Sequence, residues 1–420
     1  MDESHLPKSK HLIFFAWIIC IIATLNYSYD FFIRAAPGVM SEELIDAFKI
    51  NSASIGWLSS AYFIAYTTMQ IPAGVIIDKY NRKYVIAIAT MLCVIGNFLF
   101  SATNYYEVAF LGRILMGVGS AFGFVGAAKM AGMWLPQRFF STFIGIATIV
   151  GILGGLVTDT VLASLVNSLG WREGNTVFTY IGVGLLIFVL IFIKDNHKHV
   201  EKFRHFNEAN FAETIQKVLK IFKNYKFWAA SLIGASIFIP INVLGSLWGV
   251  TFIQHKLEIT QTQASNLNAT LFIGAAIGYA IFGIIAAFTT RLRLMLILSL
   301  IFSVTIIFLL LFVDLNKTYF ICLYTLLGVM AGPQAVTFTI AKVISPPGTS
   351  GSSTAGVNMI NNLFAVILLP VIGYVLTYVT THLDDGYNNI IDFQYALSIV
   401  IIIFLICIPL CFLLPKNVDI

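Results

Sequence analysis

The sequence predicts an all-α membrane protein with twelve transmembrane helices, and its composition and hydrophobic runs carry that prediction. Of its 420 residues, 58% are hydrophobic and 11% are charged, and the mean hydropathy is +0.88. Because soluble domains carry about 25% charged residues, this composition disfavours a water-soluble globule. A helix needs roughly 20 apolar residues to cross the hydrocarbon core of a bilayer. Twelve such runs occur, at 12–34, 54–78, 84–103, 107–130, 141–165, 174–193, 227–253, 264–288, 294–313, 318–341, 351–378 and 393–414.

Basic residues predict the orientation of these spans. With the N-terminus inside, nineteen Lys and Arg residues fall on inner segments or in the central loop, and six fall outside or in outer half-helices. This asymmetry fits the positive-inside rule and places both termini in the cytoplasm. The net charge of +5 needs no nucleic-acid partner, because the same residues set the topology. The first run is too long for a cleavable signal peptide and is interpreted as a retained helix in a bacterial inner membrane.

The chain divides into two six-helix halves, 1–193 and 227–420, joined by a polar stretch at 194–226. An internal repeat supports this division. Residues 62–65 match 271–274 at an offset of 209, as Gly74 matches Gly283 and Arg82 matches Arg291. In the joining stretch, apolar residues recur at helical spacing between lysines, which predicts an amphipathic helix on the inner membrane surface. A site for a calmodulin-like partner is the alternative. The apolar residues are Phe211, Ile215, Val218, Leu219 and Phe222.

Cysteine and histidine positions disfavour a metal centre or an enzyme. All five cysteines lie in predicted spans without a CxxC pair, and the seven histidines lie in loops or at span ends. Neither a Walker loop nor an HExxH motif occurs. We therefore expect no metal, no cofactor and no catalytic site, and a chain that acts as a monomer in the bilayer.

Residues 74–83, GVIIDKYNRK, form a charged elbow between predicted spans 2 and 3. The segment resembles the signature loop of the major facilitator superfamily, G-x-x-x-D-[RK]-x-G-[RK]-[RK]. Asn81 stands where that family usually has glycine. The resemblance implies the major facilitator fold, two six-helix bundles that alternate in access. The positions in register are Gly74, Asp78, Lys79, Arg82 and Lys83.

This loop is predicted to form a gate. Asp78 ends span 2, close enough to pair with Arg82 or to meet the N-terminus of span 11 near Ser350. Such contacts would form when the inner side is closed and would favour the outward-open state. A topology anchor is the alternative. The repeat places Ala287 opposite Asp78, so the second half has no equivalent carboxylate.

Charges inside the spans point to proton coupling. Asp30 in span 1 and Asp159 in span 5 both lie about 27 Å from the predicted inner surface, at a level similar to that of Arg113. The segment after Arg113, rich in small residues, resembles the superfamily's helix 4 motif. Because charges at this depth need partners or water, we expect them to line the cavity, where either aspartate offsets Arg113. Asp30 is the predicted proton carrier and Arg113 its partner or an anchor for a substrate carboxylate; a permanent ion pair is the alternative.

Aromatic and amide residues complete the predicted cavity. Arg34, which precedes Ala35-Ala36-Pro37, is predicted to line the cavity. The alternative is that its side chain snorkels to the outer interface. Lys129 is interpreted as an ordinary interface lysine. Interhelical hydrogen bonding is an equally good explanation for any single amide. The predicted cavity residues are Tyr27, Tyr29, Arg34, Asn242, Trp248, Gln334, Asn358, Asn361 and Asn362.

Residues 27–40 and the span that follows resemble the phagosomal transporter branch of intracellular bacterial pathogens. That resemblance implies uptake of amino acids or nucleosides. The sequence therefore predicts proton-coupled uptake of a small polar nutrient, such as an amino acid. The alternatives are a nucleoside importer, an exporter of a siderophore or drug, and a non-transporting nutrient receptor. Span 5 lacks the Gly-Pro step of drug antiporters, which disfavours drug export.

Overall fold

The computed structural model describes residues 10–135, 137–194, 219–346, 350–383 and 390–416. Within these ranges the chain is helical and contains no strand. Most of the predicted amphipathic helix, including Phe211, Ile215 and Val218, lies outside the described residues. Leu219 and Phe222 belong to a short helical stretch that precedes span 7.

In the part of the chain that the structure describes, twelve helices are long and apolar enough to cross a membrane, and they coincide with the twelve predicted runs. They form two bundles of six helices each, which contact one another mainly through spans 1 and 7, 2 and 11, and 5 and 8. The fold prediction is confirmed. The spans are Phe14–Val39, Ser52–Lys79, Arg82–Ala102, Tyr106–Trp134, Phe143–Leu169, Trp171–Phe192, Tyr225–Leu257, Gln261–Phe288, Leu292–Phe312, Lys317–Ile344, Ser353–His382 and Ile390–Leu413.

Among the described residues, four spans are interrupted within their length. Spans 4 and 10 each break into two α-helices, and spans 5 and 7 each contain a π-helical segment. Pro240 and Pro333 lie at two of these interruptions, where the missing N–H loosens the helix. The segments are Tyr106–Ser120 and Gly123–Trp134; Gln137–Val157, Thr158–Leu162 and Ala163–Leu169; Tyr225–Ile237, Pro240–Trp248 and Gly249–Leu257; and Lys317–Val329 and Gln334–Ile344.

Span 1 is longer than the sequence predicts. Its α-helix, Lys10–Val39, continues five residues past Arg34 and includes Pro37. The hydrophobic run predicts an end at residue 34, but the helix tolerates Pro37 and carries Arg34 into the bundle. A short helix, Ser41–Phe48, follows span 1. We call the face that carries this short helix the outer face, following the prediction from charge.

The internal repeat has a counterpart in packing. Gly117 of span 4 lies directly against the backbone carbonyl of Tyr62, and Gly328 of span 10 lies against that of Leu271. Tyr62 and Leu271 are matched positions of the repeat. Small residues let helix backbones approach closely in a membrane. Both bundles therefore use the same close approach, between spans 2 and 4 and between spans 8 and 10.

Gly117→Ala is expected to destabilise the fold. A β-carbon at residue 117 would overlap the Tyr62 carbonyl, a backbone atom that cannot rotate away. Overpacking of this kind costs about 1–3 kcal/mol. Thermal unfolding of the purified protein in detergent measures the loss. The control is Gly184→Ala, because a β-carbon at residue 184 meets no atom within 4 Å. Equal unfolding temperatures for the two variants would contradict this packing.

Hydrogen bonds between the bundles close the outer face. The hydroxyls of Ser41 and Thr251 lie 2.8 Å apart, joining the short helix after span 1 to span 7. The backbone N–H of Ala53 in span 2 donates to Thr377 Oγ1 of span 11 at 3.2 Å. In addition, a β-carbon at Gly38 would lie 3.0 Å from the backbone of span 7, so the two helices touch there.

Candidate functional site

Arg34 lies in an aromatic cage formed by spans 1 and 2 of the first bundle. Its side chain is 4% exposed, and its Cζ atom lies 4.5 Å from the ring centroid of Phe31 and 5.0 Å from that of Tyr66. The rings of Tyr62 and Phe63 lie at 5.6 and 5.4 Å. Snorkelling to the interface is therefore wrong for Arg34, because the extended span 1 buries it. Aromatic faces stabilise a guanidinium and leave its in-plane N–H donors available.

Asp30 lies one helical turn before Arg34 and is 2% exposed. Its Oδ2 atom has no hydrogen-bond partner among the described residues. The carboxylate packs directly against Gly123, where a β-carbon would overlap Oδ2. Gly123 begins the second helix of span 4, and the free N–H groups of a helix N-terminus favour a nearby carboxylate. The break in span 4 thus provides the space and the electrostatic setting for Asp30.

Gly123→Ala is expected to lower uptake strongly, because the added methyl group displaces the Asp30 carboxylate. The measurement is initial uptake rate in proteoliposomes at matched protein content. Gly145→Ala serves as the control, since a β-carbon at residue 145 meets no atom within 4 Å. Wild-type uptake by Gly123→Ala would show that the position of Asp30 is not critical.

Arg113 pairs with neither aspartate, so that expectation is wrong. Its Nη1 donates to the backbone oxygen of Ile33 at 2.5 Å, and its Nη2 donates to that of Arg34 at 3.4 Å. The guanidinium also lies 5.0 Å from the ring centroid of Tyr62. Pro37 is the physical reason, because a proline leaves the carbonyl four residues earlier, that of Ile33, without its helical donor. Arg113 supplies the missing donor and fixes the turn of span 1 that carries the cage.

Asp159 lies at the boundary between the bundles. It belongs to the π-helical segment of span 5, and its Oδ2 accepts a hydrogen bond from Asn268 Nδ2 at 2.7 Å. Asn268 in turn accepts from the hydroxyl of Tyr324 at 2.7 Å, and Ser265 donates to the Asp159 backbone oxygen at 2.8 Å. The expected trio of Asp30, Arg113 and Asp159 therefore does not form. Asp159 holds span 5 to span 8 of the second bundle.

Two of the predicted cavity aromatics lie inside a bundle. Tyr29 is fully buried and donates to the backbone oxygen of Phe178 in span 6. Trp248 is 1% exposed and donates to that of Leu369 in span 11. The hydroxyl of Tyr29 and the indole N–H of Trp248 each donate to a backbone oxygen of their own bundle. The prediction that these two side chains line the cavity is therefore wrong. Tyr27 is half-buried, and its ring lies against Gly151 of span 5.

The predicted amides form a connected group. Asn358 Nδ2 donates to Gln70 Oε1 at 2.9 Å and lies 3.5 Å from the hydroxyl of Tyr66. Asn362 donates to the Asn358 backbone oxygen at 2.8 Å. Asn242 Nδ2 donates to the backbone oxygen of Asn361 and the side chain of Asn362, at 3.3 and 3.5 Å. Gln334 accepts a hydrogen bond from Tyr279.

Gln70 and Tyr66 are functional candidates that the sequence analysis missed. Both lie in span 2 of the first bundle and contact Asn358 of the second. Tyr66 also covers Arg34, so it joins the cage to the amides. The signal available in the sequence was an amide inside an apolar span, four residues after a tyrosine.

Two contacts tie the signature loop to the first bundle. Asp78 forms an ion pair with Lys129 of span 4, so an ordinary interface role for Lys129 is wrong. Arg82 Nη2 donates to the Asp78 backbone oxygen at 3.2 Å. A β-carbon at Gly74 meets no atom within 4 Å, and the side chain of Lys83 is partly exposed. A contact between Asp78 and span 11 stays a prediction for the state with a closed inner side.

Glu43 is a partly buried carboxyl group that joins the two bundles at the outer face. Gln261 of span 8 donates to Glu43 Oε2 at 2.9 Å and to the backbone oxygen of Val39. Burial in this contact raises the pKa of Glu43 above its ordinary value, and the hydrogen bond from Gln261 only partly opposes the effect. The closed outer face therefore binds a proton more tightly than an open one. The contribution of Glu43 to the stability of the closed outer face is fully present below the ordinary pKa of a glutamate. It is lost as pH rises through the raised pKa of Glu43.

Opening of the outer face is expected to increase from acidic to neutral pH. Spin labels on cysteines introduced at Lys49 and Glu258, two exposed loop positions on opposite bundles, report the distance across this face. The native cysteines are replaced first. Glu43→Gln is expected to remove the pH dependence, because a carboxamide does not titrate. An identical pH dependence in Glu43→Gln would contradict this assignment.

A family model described as the Major Facilitator Superfamily matches residues 16–252 and 230–419. The chain belongs to the major facilitator superfamily and is a membrane transporter rather than an enzyme. An uncharacterized transporter of Bacillus subtilis, YybO, is 22% identical over 391 residues, which cover 88% of each chain. The probable galactarate/D-glucarate transporter GarP of Escherichia coli is 26% identical over 186 residues, 43% of this chain and 40% of GarP. The crystal structure of the nucleoside transporter NupG superimposes with a TM-score of 0.73 at 17% identity, covering 95% and 98% of the two chains, which shows a shared fold.

Proposed function

We propose that this transporter is a proton-coupled importer of a small polar nutrient that carries a carboxylate, an amino acid being the leading candidate. The observation that carries the proposal is the buried Arg34 cage with Asp30 one turn away. We place the protein in a bacterial inner membrane as a monomer with both termini in the cytoplasm. Its bundles are 1–193 and 227–420, with 194–226 as the linker.

Arg34 binds the substrate carboxylate in this proposal. A guanidinium presents its donors in a planar fork that matches a carboxylate, and a buried site strengthens the attraction. Its Nε atom has no hydrogen-bond partner among the described residues, so a donor is available to a ligand. GarP, described as a probable transporter of galactarate and D-glucarate, handles carboxylates, which supports an anionic substrate.

Asp30 carries the coupled proton. Neighbouring charge decides whether a carboxyl group binds a proton, and Arg34 is the nearest cation on its own helix. When the substrate carboxylate neutralises Arg34, Asp30 loses that stabilising charge and binds a proton more readily. Substrate and proton then enter together, and alternating access moves both across the membrane.

A nucleoside importer is the second candidate. The amides and Tyr66 suit a base, and the fold is shared with NupG. A neutral nucleoside offers no anion to Arg34, however, so the cage favours a carboxylate. Export of a siderophore or drug and a non-transporting receptor have no comparable support.

Uptake into proteoliposomes tests the proposal. We expect a labelled amino acid, screened from a panel, to accumulate when an inward proton gradient is imposed, and accumulation to collapse when a protonophore is added. Labelled uridine serves as the nucleoside probe. Accumulation of uridine alone, or uptake that ignores the gradient, would contradict the proposal.

A further inference from the structure

Charge is distributed unequally between the two bundles. The spans of the first bundle bury Asp30, Arg34, Arg113 and Asp159 deep in the protein. The spans of the second bundle carry ionisable Lys, Arg, His, Asp or Glu residues only near their ends: Lys226, His255, Lys256, Arg293, Lys317, Lys342, His382 and Asp392. A ligand that lies between the bundles would therefore face the buried cation Arg34 in the first bundle and neutral groups in the second.

The neutral side is the amide cluster, which we define as Asn242, Asn358, Asn361 and Asn362 together with Gln70 of span 2. Four buried atoms of this cluster have no partner among the described residues: Asn242 Oδ1, Asn361 Oδ1, Asn361 Nδ2 and Gln70 Nε2. They comprise two acceptors and two donors. Because buried polar groups are nearly always hydrogen-bonded, these atoms indicate a ligand that both donates and accepts.

The cluster is continuous with the Arg34 cage. The ring of Tyr66 covers the Arg34 guanidinium at 5.0 Å, and the Tyr66 hydroxyl lies 3.5 Å from Asn358 Nδ2. One side chain thus separates the cationic site from the amides.

We propose that the substrate has one carboxylate and, at its other end, a neutral group that donates and accepts hydrogen bonds, such as a carboxamide or a hydroxyl. This inference rests on the proposed function, since Arg34 must bind the carboxylate. A second carboxylate at the amide cluster would be buried without a cation and is rejected. An alkyl end is also rejected, because it neither donates nor accepts hydrogen bonds and would leave the buried amides without partners.

Matched probes test this specificity. Glutamine, glutamate and norvaline share the same carboxylate and ammonium group and differ at the far end, which is a carboxamide, a carboxylate or a methyl group. Gluconate, glucarate and hexanoate form a second series without the ammonium group. Binding to the purified transporter is measured by thermal shift and calorimetry. In at least one series we expect the neutral hydrogen-bonding member to bind about tenfold or more tightly than the other two.

The outcomes separate the two proposals. If glutamate binds at least as tightly as glutamine and glucarate at least as tightly as gluconate, the inference is overturned but a carboxylate importer remains. The derivative of glutamine in which the α-carboxylate is replaced by a carboxamide lacks the anion for Arg34. If this derivative binds as tightly as glutamine, or if no carboxylate probe binds, the proposed function and the inference are overturned together. Asn361→Leu is expected to erase the preference for glutamine over norvaline while keeping norvaline binding. The wild-type series decides the matter if that variant does not fold.

Discussion

Arg34→Gln is expected to lower uptake of the carboxylate substrate about 100-fold, because the variant removes the charge-assisted hydrogen bonds on which binding depends. The glutamine fits the space inside the aromatic cage but carries no charge. Arg34→Lys keeps a cation among the rings and loses the planar fork, so we expect an intermediate rate. Initial rates in proteoliposomes at saturating and subsaturating solute measure both effects, which should appear mainly in KM.

Lys49→Gln is the control for this prediction. It removes a positive charge from an exposed position on the outer face, outside the aromatic cage. Thermal unfolding of each variant confirms that lost uptake is not lost fold. Near wild-type uptake by a folded Arg34→Gln would show that the substrate does not bind through this guanidinium.

Asp30→Asn is expected to abolish accumulation against a gradient while retaining exchange of labelled for unlabelled solute. The carboxamide has the shape of the carboxylate and keeps the contact with Gly123, but it carries no titratable proton. The binding site and the movement of the bundles are then intact, and only the coupling is lost. Accumulation ratio and exchange rate, measured on the same proteoliposomes, separate the two steps.

Asp159→Asn is the matched control, since it neutralises the other deeply buried aspartate. Its carboxylate hydrogen-bonds to Asn268 across the bundle interface, so we expect this variant to keep the accumulation ratio. Loss of accumulation in Asp159→Asn but not in Asp30→Asn would move the proton site to span 5.

The fold could be predicted because each span leaves a local signal. Twelve apolar runs of sufficient length, the biased lysines and the repeat at 209 residues require no knowledge of distant contacts. The end of span 1 was the exception. Pro37 normally marks a helix boundary, but packing of Gly38 against span 7 continues the helix to Val39. The end of span 1 thus depends on a tertiary contact, which no local sequence pattern predicts.

The site was predicted less well because partners come from different helices. The sequence identified Asp30 and Arg113 as buried charges, yet their simplest pairing was wrong. Arg113 instead binds a carbonyl that Pro37 leaves free, and Arg34 is surrounded by rings from spans 1 and 2. Lys129 pairs with Asp78 from a helix two spans along the chain. Each of these contacts depends on helix rotation, which hydrophobic runs with weak periodicity do not determine.

Proton movement driven by the solute tests the central claim most directly. A pH-sensitive dye inside proteoliposomes reports proton entry when the carboxylate solute is added outside, with no imposed pH gradient. We predict acidification of the lumen with the wild-type protein and none with Asp30→Asn, although Asp30→Asn still exchanges solute. Acidification by Asp30→Asn equal to that of the wild type would contradict the assignment of Asp30 as the proton carrier beside Arg34.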